Sequence, residues 1–220
     1  MNARRSNIAS LAAVVGLLLS ALPAFADKEK EGEFKPLFND KDLTGWKAID
    51  GPIDSWKAED GMLSTTGKEG GWLSTEDEYA NFELKLEFRV PEGGNSGVFL
   101  RAPHKGNPAF AGMEVQVLDD YDEQYADLQP AQYCGSLYGV AAAEPRVSKK
   151  AGEWQKLHIV CDGNRVQVEL NGEQVVDANL DEHTDKVKEH PGIERKTGYI
   201  GLQNHGSPLD YRNILIRKLP

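Results

Sequence analysis

Only two cysteines occur, Cys134 and Cys161, and that scarcity excludes a fold stapled by several disulfides. No CxxC pair and no Cys/His spacing of the zinc-binding kind is present, so the sequence contains no metal motif. Positive charge is short as well: 25 Lys and Arg face 35 Asp and Glu, for a net charge of −10. An acidic chain is repelled by a phosphate backbone, which argues against nucleic acid as a partner. The single long apolar run, Ile8 to Leu19, is too short to span a bilayer and is not repeated, so no membrane insertion is expected. Sustained helical periodicity is missing too, which removes helical bundles and crossover-linked parallel sheets.

Arg4 and Arg5, the apolar run and the small-residue ending Ala24-Phe25-Ala26 read as a secretory signal peptide over residues 1–26. Taking Arg4 and Arg5 away moves the net charge from −10 to −12. Residues 27–33 read as a flexible acidic lead-in, and residues 34–220 as one domain. The protein is therefore expected to be exported, either periplasmic or secreted. That compartment leaves a Cys134–Cys161 bridge open. Cys161, in register with Leu157 and Ile159, reads equally well as a buried thiol.

What the chain does contain is strand alternation. In "FELKLEFRV", Phe82, Leu84, Leu86, Phe88 and Val90 alternate with Glu83, Lys85, Glu87 and Arg89, so one face is core and the other meets water. "MEVQVL" places Met113, Val115 and Val117 on one side, and Glu114, Gln116 and Leu118 on the other. Asp60-Gly61, Asp162-Gly163 and Asn171-Gly172 are hairpin signals, because these residues tolerate positive φ. A short helix or a solvated loop is expected within residues 181–190. The pattern predicts an all-β fold, two antiparallel sheets packed as a jelly-roll or concanavalin A-like sandwich.

Parity then selects candidate site residues. Apolar Val98 and Leu100 put Arg101 on the opposite face of its strand. The same logic exposes Glu114 and Gln116, and in "YIGLQNHG" it sets Gln203 and His205 opposite Ile200 and Leu202. A cation, a carboxylate, two amides and an imidazole would share one surface, flanked by glycines that permit close ligand approach. Each could instead be an ordinary outward residue. Trp46, Trp56, Trp72 and Trp154 read as core; His104, His158, His183 and His190 read as surface; Asp119, Asp120, Asp122 and Glu123 read as a solvated acidic loop.

The ordered motifs "GNSGVFLR", "MEVQVLD", "CGSLYGV" and "TGYIGLQNHGSPLDYRNILIRKL" resemble those of the 3-keto-disaccharide hydrolase family. The resemblance covers essentially all of residues 34–220 and implies an exported sandwich enzyme acting on carbohydrate. A ketone at C3 acidifies the hydrogen at C2, so one base suffices for elimination of the anomeric oxygen, and water then adds to the alkene. Glu114 is the expected base, Arg101 the stabiliser of the enolate and His205 the acid. Asn95, Gln116, Gln203 and Tyr138 are expected to bind the sugar, and Arg212 is either a ligand contact or part of an ion pair. No cofactor is firmly implied; a divalent metal near Glu114 and His205 is left open. Two alternatives stand beside this reading. One is a non-catalytic carbohydrate-binding module. The other is a retaining β-glucanase, disfavoured because Gln116 occupies the position where a second carboxylate would belong.

Overall fold

The computed structural model describes residues 32–220; the signal-peptide reading and most of the lead-in fall outside them. The strand elements are β1 (Lys35–Pro36), β2 (Trp46–Ile49), β3 (Trp56–Glu59), β4 (Met62–Thr66), β5 (Trp72–Tyr79), β6 (Phe82–Arg89), β7 (Asn95–Ala102), β8 (Met113–Leu118), β9 (Gln155–Asp162), β10 (Arg165–Leu170), β11 (Glu173–Asn179), β12 (Gly198–Gln203) and β13 (Pro208–Lys218). One short helix, α1 (Pro108–Ala111), lies between β7 and β8.

All pairings are antiparallel, in two sheets. The larger runs β11-β10-β9-β6-β13-β4-β3, with β1 also beside β13; the smaller runs β2-β5-β12-β7-β8. The all-β sandwich expected from alternation is the fold observed. Two hairpin signals form as predicted: Asp60 and Gly61 take φ of 52° and 73°, and Asn171 and Gly172 take 56° and 93°, the left-handed pair that a tight two-residue turn needs. At the third, the turn falls one residue later than predicted, on Gly163 and Asn164, because Asp162 ends β9 and pairs with Arg165.

The main core lies between the sheets. Leu84, Phe88, Ile159 and Val168 from the larger sheet meet Val98, Val115, Ile200 and Leu202 from the smaller. Burying alternate residues of every strand supplies the main driving force for the fold. A second, smaller cluster of Trp72, Phe99, Ala102 and Ala109 collects the opposite-parity residues of β5 and β7, on the outer face of the smaller sheet. That outer face also carries the polar residues of interest.

Several expectations needed correction. Cys134 and Cys161 are both free and buried, and burial pushes the Cys161 thiol up to about 12. Residues 180–186 form a 3-10 helix capped by the Asn179 side chain, which accepts from the Asp181 amide. Trp46, Trp56 and Trp72 are core residues as expected. Trp154 is only half-buried, and the Arg89 and Arg212 guanidiniums lie 4.9 and 3.9 Å from its ring. His158 sits 3.1 Å from the Glu83 carboxylate, and His190 is buried; neither is a free surface residue. Asp119 is buried too. It accepts from the Gly93 and Tyr121 amides, while Asp120 accepts from the Cys134 amide and Ser148 hydroxyl. Those two aspartates hold the loop together from inside.

Candidate functional site

The β7–β8 ladder builds the centre of the site. Gly97 pairs with Gln116 and Phe99 with Glu114, so the outward side chains of β8 stand in a row above β7. Strand β8 is an edge strand of the smaller sheet, and the segment after it covers that edge. The Tyr138 amide donates to Glu114 O, the Gln116 amide donates to Ser136 O, and the Gly135 amide donates to Gln116 O. Covering the edge satisfies its backbone groups and brings Tyr138 beside Glu114.

A cavity of about 230 Å³ opens here, and its walls include Asn95, Glu114, Gln116, Tyr138, Gln203 and His205. These six, all nominated by parity or by the family resemblance, come from four separate segments of sequence. Among the described residues lining the cavity, Glu114 is the only carboxylate.

Glu114 is 4% exposed, and no hydrogen bond reaches its carboxylate among the described residues. Burial therefore acts unopposed and raises its pKa from 4.5 to about 8, since desolvation disfavours the charged form. The carboxylate lies directly over Gly97, where a Cβ would overlap Oε1. Gln116 donates to Asn95 Oδ1 at 3.3 Å, which orients the two amides. Gln132 accepts from the Gln129 amide and donates through Nε2 to the Tyr138 hydroxyl at 2.9 Å. With its oxygen already accepting, the Tyr138 phenol has its own proton free to donate. His205 is exposed at the rim.

Two nominated residues lie elsewhere. Arg101 is fully buried with φ of 49°. Its guanidinium donates to Ala80 O, Gly163 O, Arg195 O and Asn81 Oδ1. A bulge is the cause: Phe99 pairs with Gly201 and Ala102 with Tyr199, so two residues of β7 stand against Ile200 alone. Phe99 and Ala102 both join the outer cluster, and Arg101 turns inward. Arg212 is committed to Glu87, at 2.8 Å from Nε, on the larger sheet, and to the face of Trp154.

Residues that sequence reasoning passed over complete the walls. Asn107 caps α1 by accepting from the Ala109 amide, with Pro108 at the first helical position, and this turn delivers Ala109 and Phe110 to the cavity. The Asn-Pro pair is a helix-start signal that could have located it. For a metal, Glu114 and His205 supply two donors among neutral amides, and the described residues contain no cluster of three His, Cys, Asp or Glu side chains that could hold an ion. Nor is any described helix long and apolar enough to cross a membrane.

Comparison with known proteins bears on this geometry. Residues 33–217 match the family described as the 3-keto-alpha-glucoside-1,2-lyase-like domain. A 3-keto-disaccharide hydrolase from Bacteroides thetaiotaomicron is 30% identical, over 64% of this chain and 60% of that protein, so this chain spans about three-fifths of that relative's length. A crystal structure provisionally assigned as a glycosyl hydrolase, from Parabacteroides distasonis, superposes with a TM-score of 0.76 at 34% identity, over 85% of this chain and 100% of the other. The carbohydrate-binding module CBM66 from Bacillus subtilis shares the fold, with a TM-score of 0.54 and 14% identity over 81% of this chain and 98% of that one.

Proposed function

Because the chain belongs to the 3-keto-alpha-glucoside-1,2-lyase-like domain family, we propose that it is an exported enzyme cleaving 3-keto-glycosides, 3-keto-disaccharides among them, by elimination and hydration. The observation that carries this reading is the lone, buried, unpaired carboxylate of Glu114 facing a cavity whose other polar walls are amides, phenols and the His205 imidazole. A glycosidase that retains configuration by displacement needs two carboxyl groups about 5–5.5 Å apart. Removing a proton next to a ketone needs one base, and a pKa near 8 makes Glu114 a stronger base than an exposed glutamate.

In the first half-reaction the Glu114 carboxylate takes the C2 proton and the electron pair moves onto O3. Tyr138 and the amides of Asn95 and Gln116 donate to that enolate oxygen, the task expected of Arg101. Neutral donors in a partly dry cavity can carry it because they act where water is excluded. The enolate then reforms the C3 carbonyl, C1=C2 forms and the C1–O bond breaks, with His205 giving its proton to the departing oxygen. In the second half-reaction neutral His205 takes a proton from water, whose oxygen bonds to C1, and Glu114 returns a proton to C2. Both residues end as they began, and the sum is hydrolysis.

The test supplies a 3-keto disaccharide in deuterated water and follows free 3-keto-glucose. Expected are turnover and incorporation of deuterium at C2. Glu114→Gln should cost about 10²–10⁴-fold in turnover. Full activity in that variant, or sugar binding without turnover in the wild type, would remove the proposal.

A further inference from the structure

On the far side of Gln203 and His205 from Glu114 lies a second cavity of about 420 Å³, to which Trp72, Phe99, Asn107 and Asn204 contribute. Asn107, Gln203 and His205 line both cavities, so they form the ridge between them. Two buried polar atoms at this place lack partners among the described residues, Trp72 Nε1 and Gln203 Oε1. A buried indole N–H ordinarily finds an acceptor. Trp46, by contrast, donates its Nε1 to Leu37 O. Trp72 is held in place from two sides. A Cβ at Gly201 would overlap its ring, and Phe99 meets it edge-on at 5.5 Å. An unpaired donor and an unpaired acceptor, sealed from water themselves but carried by two cross-strand neighbours that line the cavity, are left over for a ligand bearing hydroxyls.

We propose that this second cavity is the subsite for the leaving sugar of the disaccharide, with Trp72 Nε1 donating to one of its hydroxyl oxygens and Gln203 Oε1 accepting from another. The assignment rests on the proposed reaction, because His205, the donor to the departing oxygen, stands on the ridge where the glycosidic bond would cross. A third cavity, on the Tyr138 side, is a weaker site for this sugar. Its Lys186 ammonium is already bound to Gly139 O at 2.7 Å, and Gln132 is committed to Tyr138.

The test compares kcat/KM for a 3-keto disaccharide with that for the methyl 3-keto-glucoside, in the wild type, Trp72→Phe and Lys186→Ala. The ratio of disaccharide to methyl glycoside should fall about fivefold in Trp72→Phe, the worth of one hydrogen bond, and stay constant in Lys186→Ala. An unchanged ratio in Trp72→Phe, or a fall confined to Lys186→Ala, overturns the assignment. A second readout does not depend on turnover. In the unmutated ¹⁵N-labelled chain, the Trp72 indole N–H, identified by its contact to the Phe99 ring, should shift on titration with glucose. No shift overturns the subsite even if the enzyme is active. A shift in a chain that turns over neither substrate upholds the sugar site while removing the reaction.

Discussion

Gly97 faces Gln116 across the β7–β8 ladder, and its missing side chain is what leaves room for the Glu114 carboxylate. A methyl at this position would meet the end of a flexible side chain rather than fixed backbone, so the fold can accommodate it by swinging the carboxylate aside. Gly97→Ala should therefore keep the thermal midpoint within a few degrees while turnover falls about 10²-fold, the usual cost of misplacing a reacting group by an ångström. Calorimetry beside the 3-keto disaccharide assay separates the two effects. A variant that unfolds, or one that turns over normally, would contradict this account of the glycine. Glycine in "GNSGVFLR" was legible as a sign of close approach. What approaches was not legible, because the neighbour comes from another strand.

Arg101 shows where strand parity stops being reliable. Parity held along β8, where Glu114 and Gln116 do face the cavity, and along the end of β12, where Gln203 does. It failed at the bulge in β7, since one extra residue flips everything after it to the other face. Nothing in "GVFLRAP" marks the bulge, which depends on pairing with Tyr199 and Gly201. The cation's place is instead the end of the sandwich. There it ties the β5–β6 connection at Ala80 and Asn81 to the β9–β10 turn at Gly163 and to Arg195, whose own Nε donates back to Arg101 O at 2.9 Å. Arg101→Ala leaves those carbonyls buried and unpaired, and should cost about 3–5 kcal/mol in chemical denaturation with KM unchanged for the molecules that remain folded. A raised KM at full stability would instead put the guanidinium in contact with substrate. By contrast, Arg212 is partly exposed on the larger sheet, where its pairing with Glu87 and Trp154 belongs to surface energetics.

At the scale of the whole molecule, the sandwich was legible because burying one face of each strand imposes a period of two on sequence, and hairpin turns punctuate it. The second cavity was not, because it arises where loops and α1 meet, and loop geometry leaves no periodic trace. The same burial that makes Glu114 a base also sets how global stability responds to pH. Its carboxyl titrates at about 8 in the fold against 4.5 ordinarily, so between those values the folded protein binds a proton that the unfolded chain has released. Stability therefore falls as pH rises through that window, being highest on this account below 4.5 and levelling off above 8. The size is on the order of a few kcal/mol. Glu114→Gln carries no charge to desolvate, so its denaturation midpoint should exceed the wild type's at pH 9 and draw level with it near pH 5. Urea titrations of both proteins at the two pH values measure this directly. Parallel pH profiles would mean that the carboxylate is solvated after all, and with it would go the reason for a raised pKa and for a base strong enough to take a carbon-bound proton.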